Sequence, residues 1–208
     1  MGKYKYIIFD IDCTLLDTEG MNIRSLMRII KEELGIEKSY EELITYMAFP
    51  GRLTLKKLGV DNIDEVYPRW VYYVNEDETG AIPYEGMKEV LDKLKEQGYI
   101  LAVASSKTKE QYGIDMVNNN FHTYMKVNVL VDDVENTKPH PEPLEKAIRL
   151  LEAEPEKCLY IGDTKSDYLC AKAAGVDFAL ALWGCRNKEG IYADYELEKP
   201  IDLLKTLF

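Results

Sequence analysis

Histidine, cysteine and long apolar runs are all scarce in this sequence, and each shortage excludes something. The two histidines, His122 and His140, are too isolated to support a histidine-based mechanism. The four cysteines, Cys13, Cys158, Cys170 and Cys185, have neither CxxC spacing nor the density of a disulfide scaffold, so reduced thiols are expected. No apolar stretch approaches the length of a membrane span, and "MGKYKYIIFD" runs straight into a strand instead of a charged, apolar and cleavage-site series. A cytoplasmic protein is the expectation. Basic residues are also in deficit: 26 Lys and Arg against 37 Asp and Glu leave a net charge of −11, which argues against nucleic acid and anionic membrane as partners. Any bound phosphate must then be held by local positive groups that work against the overall field. Internal repeats and low-complexity tracts are absent as well.

What is present is a chain of 208 residues, 46% hydrophobic, able to bury one sizeable core and to carry a small accessory domain. Apolar runs of strand length recur as "YKYIIF" (4 to 9), "YILAVAS" (99 to 105), "VNVLVD" (127 to 132), "CLYIGD" (158 to 163) and "VDFALAL" (176 to 182), the pattern of buried parallel strands. Helical periods lie between them. Pro83 is placed to open a helix whose apolar face is Met87, Val90, Leu91 and Leu94, with Gly98 closing it. Pro141 starts another with Leu144, Ala147, Ile148 and Leu151, and a helix from Thr164 to Ala174 ends at Gly175. The alternation predicts an α/β fold, a doubly wound parallel sheet. From Asp17 to Ile82 it lapses into helix signals alone: Ile23, Leu26, Met27, Ile30 and Leu34 on one face, a capping box at Ser39 and Glu42, and a helix with Ile63, Val66 and Trp70 whose start is limited by Pro68. The expected domains are therefore a core, 1–16 with 83–208, and a small all-helical insert, 17–82.

In open parallel sheets ligands bind beyond the carboxyl ends of the strands, where Asp10, Asp12, Ser105 and Asp163 all fall. Residues i and i+2 of an extended segment share a face, so Asp10 and Asp12 can point into one site. Two carboxylates sharing a site push one pKa upward unless a cation holds both ionised. A hard divalent ion such as Mg²⁺ would take Asp10, Asp163 and a main-chain carbonyl, and a carboxylate kept protonated nearby would serve as a general acid.

Four stretches together resemble the haloacid dehalogenase (HAD) superfamily of phosphohydrolases. "DIDCTLLD" is similar to its DxDxT motif, "LAVASSK" to an apolar strand ending in Ser or Thr, "KPHPEP" to its KPxP loop, and "IGDTKSD" to GDxxxD. The resemblance runs the length of the chain, and the helical insert after the first motif is what that family calls a type 1 cap on a Rossmann-like core. "VDDVENTKPHPEPLEKAI" and "GDTKSD" resemble most the phosphoglycolate phosphatase and pyrophosphatase branch. The resemblance implies that Asp10 attacks phosphorus to form an aspartyl-phosphate, while Asp12 protonates the leaving oxygen and then deprotonates water. It implies that Thr14, Ser105 and Lys138 hold phosphate oxygens. Mg²⁺ would be bound by Asp10, the Asp12 carbonyl and Asp163, with Asp167 as a further ligand or an anchor behind them. The implied activity is a Mg²⁺-dependent phosphatase of small phosphorylated metabolites. Expelling an alkoxide needs a proton where displacing halide does not, so Asp12 favours phosphoryl transfer over dehalogenation. The competing functions are a β-phosphoglucomutase-like sugar phosphomutase and a receiver-type phospho-aspartate module. The position of Asp10 and the helical insert count against the receiver.

Several residues take blander roles. Ser105 is preferred to Ser106 as the phosphate-binding hydroxyl because it directly ends its apolar run. Asp17 is expected at the N-cap of the first insert helix or at a hinge, and Asp132 and Asp133 as solvated loop residues. The tyrosines and Trp70 of "YPRWVYY" are expected to pack between insert and core. Cys13, where many relatives have glycine, puts an oxidisable thiol near the nucleophile. Arg52, in "FPGRLTL" expected as a loop of the insert, is nominated with Arg24 and Lys56 to face a second anionic end of the substrate.

Overall fold

The computed structural model describes residues 2–49 and 51–207, apart from the side chain of Ala48. The chain opens with β1 (Tyr6–Phe9) and β2 (Leu16–Asp17). Four helices follow: α1 (Glu19–Leu34), α2 (Tyr40–Leu43), α3 (Gly51–Lys57) and α4 (Ile63–Asn75). After β3 (Ile82–Pro83) come α5 (Met87–Glu96), β4 (Ile100–Ala104), α6 (Lys109–Tyr112) and β5 (Met125–Val129). The chain ends through α7 (Glu142–Leu151), β6 (Cys158–Gly162), α8 (Lys165–Ala173), β7 (Asp177–Ala181), β8 (Tyr195–Leu197) and α9 (Asp202–Leu207). It divides into two compact units, residues 1–17 with 83–208, and residues 18–82.

In the first unit a six-stranded sheet runs β5-β4-β1-β6-β7-β8, and its neighbours pair in parallel. β1 lies at its centre, Ile8 standing between Ala102 and Tyr160. Its four residues are all buried, which is why they read as a continuous apolar run instead of an alternating one. Tyr6 and Ile8 share a face with Ala102, Tyr160 and Phe178, packed against Leu144, Ala147 and Ile148 of α7 and Cys170 and Ala171 of α8. Each large side chain buried there contributes roughly 1.5–3 kcal/mol. The winding reverses at β1: the chain passes outward to β4 and β5, then returns to the other side through β6. The carboxyl ends of β1, β4 and β6 are thereby neighbours at the switch point, where such sheets bind ligands.

The second unit is held by its own core, in which Met21, Ile23, Leu26, Ile29 and Ile30 of α1 meet Leu43, Leu55, Val66, Trp70 and Val74. Gly35, at φ 66°, ends α1 in the left-handed conformation, and the Ser39–Glu42 capping box opens α2 as expected.

Some local expectations are corrected. Pro68 does not limit where α4 begins but lies inside it. The lost backbone bond and ring clash cost about 3 kcal/mol. Buried Val66, Trp70 and Val74, with Trp70 Nε1 donating to the Asn22 carbonyl at 3.2 Å, offset that cost. Trp70 belongs to the core of its own unit. Pro83 ends β3 instead of opening α5, which starts at Met87 after Gly86 at φ 78°. Thr18, not Asp17, is the N-cap of α1, and Asp17 lies in β2. Arg52 stands on a helix, α3, instead of a loop; Pro50 of that stretch lies outside the described residues. The run at 127–132 pairs two residues earlier, as Met125–Val129. β8 has no counterpart among the expected strands.

Candidate active site at the carboxyl ends of β1, β4 and β6

Asp10 follows β1 directly, its backbone N–H donating to the Ile161 carbonyl at 2.9 Å, and its side chain is buried. The chain then curls tightly, the Ile11 carbonyl accepting from the backbone N–H groups of Thr14, Leu15 and Leu16 at 3.0–3.2 Å. Cys13 takes a left-handed conformation in this curl, φ 53°, a conformation more natural to glycine. The curl leaves Asp12 partly exposed and turns Thr14 inward, where its hydroxyl donates to Asp163 Oδ1 at 3.3 Å. The Thr14 carbonyl accepts from Trp183 Nε1 at 3.0 Å.

Ser105 caps the end of β4 and is buried, whereas Ser106 is exposed. At the end of β6, Asp163 is followed by Thr164, the N-cap of α8, which forms a capping box with Asp167. That box points the Asp167 carboxylate back toward the sheet. A Cβ on Gly162 would meet Asp167 Cβ at 2.6 Å, so the approach requires glycine.

Lys138 joins these pieces. Its Nζ lies 2.9 Å from Asp10 Oδ1 and 2.6 Å from Asp167 Oδ1, and donates to the Tyr160 hydroxyl at 3.1 Å. The Tyr160 hydroxyl is in turn within hydrogen-bond distance of the Ala104 carbonyl, 2.9 Å, and Asp167 Oδ1, 3.0 Å. Asp10, Asp163 and Asp167 each offer an oxygen within 4.8 Å of the others, and Asp10 Oδ1, though beside Lys138, accepts no hydrogen bond from the described residues. Three buried carboxylates facing one lysine leave an excess of negative charge. Burial pushes the Asp10 carboxyl up to about 6, with Asp167 and Asp12 adding to the rise and Lys138 opposing it. Asp163 is raised well above the usual carboxylate range by burial, Asp167 and Asp10. Burial also acts to raise Asp167, but the Lys138 charge and the hydrogen bonds from Lys138, Thr164 and Tyr160 outweigh it and hold that carboxyl low. The donor set, hard oxygens with surplus negative charge, fits a divalent cation such as Mg²⁺.

Sequence reasoning missed Lys107. Its buried ammonium pairs with Asp12 Oδ1 at 2.9 Å and with buried Asp115 at 2.6 Å. Burial disfavours that charge, and the two carboxylates more than compensate, so the lysine stays protonated. Its place two residues beyond Ser105, in a strand-end loop, was the available signal. Asp115 and Tyr160 gave none, since no local spacing marks the contacts of Asp115 with Lys107 or of Tyr160 with Asp167, Lys138 and the Ala104 carbonyl.

Thr14, Ser105, Lys138, Asp163 and Asp167 thus gather with Asp10 and Asp12 in the first unit. Arg24, Arg52 and Lys56 belong to the second. There Arg24 makes a two-pronged contact with Asp77 at 2.6 and 2.8 Å, Arg52 pairs with Asp64 at 2.5 Å, and Lys56 is exposed on α3. Asp132 and Asp133 accept from the Lys109 and Leu130 backbone N–H groups at 2.7 and 3.1 Å. Among the described residues no helix is long and apolar enough to cross a membrane.

The profile of the haloacid dehalogenase-like hydrolase family matches residues 7–181. The chain is 29% identical over 205 residues to a protein named pyrophosphatase PpaX of Anoxybacillus flavithermus, covering 97% of this chain and 95% of that one. It is 28% identical to the protein of that name from Bacillus mycoides, covering 99% and 97%. Among solved structures, one from Lactobacillus plantarum, provisionally assigned as a phosphoglycolate phosphatase, aligns with a TM-score of 0.89 at 25% identity over 98% of this chain and 99% of that one.

Proposed function

The chain belongs to the haloacid dehalogenase-like hydrolase family, and on that premise we propose that it is a Mg²⁺-dependent phosphatase of small phosphorylated metabolites, working through an aspartyl-phosphate on Asp10. The observation that carries this assignment is the setting of Asp10, buried at the end of the central strand with Lys138 2.9 Å from one of its oxygens and Asp163 and Asp167 grouped around it. A carboxylate so placed is a nucleophile held in one orientation, beside the positive charge that a phosphoryl group needs.

In the first step an Asp10 oxygen bonds to phosphorus while the bond from phosphorus to the leaving oxygen breaks, and Asp12 gives its proton to that oxygen. In the second, Asp12 takes a proton from water as the water oxygen bonds to phosphorus. The phosphorus–Asp10 bond breaks, and phosphate leaves. Lys138, Thr14 and Ser105 hold the phosphoryl oxygens, Lys138 from a position anchored by Asp167 and Tyr160. Mg²⁺, when held by Asp10, Asp163 and the Asp12 carbonyl with Asp167 behind them, supplies further positive charge to the phosphoryl oxygens.

The names borne by the relatives, a pyrophosphatase and a phosphoglycolate phosphatase, support a small phosphorylated substrate. Arg52, Arg24 and Lys56 are the residues proposed to recognise the rest of it. The expectation of reduced thiols supports a cytoplasmic setting. The test is phosphate release by the purified protein with Mg²⁺ across pyrophosphate, phosphoglycolate, sugar phosphates and nucleotides, with a coupled assay for sugar phosphate isomerisation alongside. Release from at least one, abolished by chelator and by Asp10→Asn, is expected. No release from any of them, or full activity in Asp10→Asn, would overturn the assignment.

A further inference from the structure

Lys107 has no part in the chemistry just described, yet it is among the most deeply buried charges in the molecule. Its side chain is 3% exposed, as is that of Asp115, and their charged atoms are 2.6 Å apart. Burying a charged pair is expensive, and an apolar pair of similar volume would often serve stability as well or better. Charge balance gives Lys107 no need of a second carboxylate, since Asp115 already neutralises it. It nevertheless meets one, Asp12 Oδ1, at 2.9 Å. The Asp12 side chain as a whole is by contrast 40% exposed, although the oxygen that meets Lys107 is buried. Among the described residues Asp12 Oδ1 accepts no other hydrogen bond, so this ion pair can set the direction of the carboxylate.

The lysine is itself well anchored. Its backbone N–H donates to Ser105 Oγ at 3.4 Å and its carbonyl accepts from Val131 at 3.0 Å, so the loop that delivers Ser105 also delivers Lys107. Asp115 stands on a π-helical turn, Gly113–Val117, which continues α6 beyond its Thr108 capping box. Such widened turns are frequent at functional sites.

We propose that Lys107, fixed in place by Asp115, is a positioning residue that aims the Asp12 carboxylate at the leaving-group oxygen. The proposal rests on the role of Asp12 as proton donor stated above. A carboxylate on a curled loop rotates freely about two side-chain bonds. Pinning one of its oxygens leaves the other presented in a single direction, and proton transfer is sensitive to that alignment. The whole constellation lies in the first unit, and none of its members is a phosphate-holding residue.

The distinguishing property is dependence on the leaving group. The p-nitrophenolate ion departs without a proton, whereas phenolate from phenyl phosphate gains from one, and the two substrates share an aryl ring. The kcat/KM values of wild type, Lys107→Met, Asp115→Asn, Asp12→Asn and the Lys107→Met/Asp12→Asn double variant should be measured on both, with circular dichroism and Tm recorded for each. Lys107→Met is expected to lose ~10-fold or more on phenyl phosphate but less than ~3-fold on p-nitrophenyl phosphate. Asp115→Asn should show the same selectivity to a smaller degree, and it carries the test if Lys107→Met does not fold. In the Asp12→Asn background Lys107→Met should cost less than ~3-fold further, because the group it aims is gone. Equal losses on the two substrates, or losses that multiply in the double variant, would make Lys107 merely structural and overturn the proposal. An Asp12→Asn variant without selectivity would overturn it too, by removing the proton donor. Wild-type protein that releases phosphate from neither aryl ester nor from any member of the metabolite panel would instead refute the phosphatase assignment itself.

Discussion

Gly184 lies so close to Cys13 that a Cβ built on it would sit 1.8 Å from the Cys13 carbonyl oxygen and 2.9 Å from the Cys13 Cβ. One residue is in the turn after β7 and the other in the curl after β1, where Cys13 already holds φ at 53°. The obstructing atoms include backbone, which cannot swing aside as the end of a side chain can. Gly184→Ala should therefore displace the segment that carries Asp12 on one side of Cys13 and Thr14 on the other. A loss of about 1–3 kcal/mol in stability is expected, comparable to a core overpacking change, together with a fall in kcat. Urea unfolding and steady-state kinetics on p-nitrophenyl phosphate measure the two, and an unperturbed variant would show that the curl is not fixed by this contact.

The Asp10 carboxyl gives a pH-dependent stability whose sign is opposite to that of an ordinary salt-bridged acid. Burial lifts it from 3.8 to about 6, so the metal-free folded protein binds this proton more tightly than the unfolded chain does. The resulting penalty is absent below about pH 4, where both states are protonated, and complete above about pH 6, where both are ionised. Metal-free wild type should therefore lose stability relative to Asp10→Asn as pH rises through that window, by on the order of 3 kcal/mol. Chemical denaturation of both proteins in chelator at several pH values measures the difference. Saturating Mg²⁺ should abolish it, since a cation holds the carboxylate ionised at no penalty.

Lys138→Met removes the ammonium that pairs with Asp10 and Asp167 and leaves the Asp10, Asp163 and Asp167 carboxylates crowded together. Breaking a buried pair in this way typically costs about 3–5 kcal/mol. Turnover should be lost, and Tm should fall further at pH 8 than at pH 5, where protonation relieves the repulsion. Mg²⁺ should raise the Tm of the variant. An equal fall in Tm at the two pH values would mean that lost packing, not charge, dominates.

Arg52 pairs with Asp64 across an exposed contact, with its guanidinium 5.0 Å from the centre of the Tyr67 ring. An exposed pair of this kind contributes only about 0–1 kcal/mol, so Arg52→Ala should leave Tm nearly unchanged. If Arg52 selects the substrate, the variant should raise KM strongly for the metabolite identified in the phosphate-release panel and barely alter p-nitrophenyl phosphate hydrolysis. Equal kinetic effects on the two would redirect attention to Arg24 and Lys56.

Local rules were enough to read much of this protein from its sequence. The apolar runs ending at Phe9, Ala104 and Gly162 mark strands buried on both faces, and the residues beyond them reach the carboxyl end of the sheet because parallel strands deliver their ends together. Asp10, Ser105 and Asp163 therefore converge with no knowledge of packing. The capping box at Ser39 was equally legible, and the one at Thr164, not singled out from the sequence, follows the same rule, since each involves residues only three apart. Tertiary structure decided what depends on contacts between distant segments. Pro68 stays helical because burial of Val66, Trp70 and Val74 outweighs a local penalty. β8 is short and only partly buried, too weakly patterned to stand out until β7 supplies its partner. Lys107 looks like any loop lysine until Asp12 and Asp115 are brought to its ammonium, and Tyr160 looks like any strand tyrosine until its hydroxyl meets Asp167 and Lys138. A charge in sequence carries no sign of whether it will be solvated or buried; only the fold, by excluding water and supplying its partners, makes that choice.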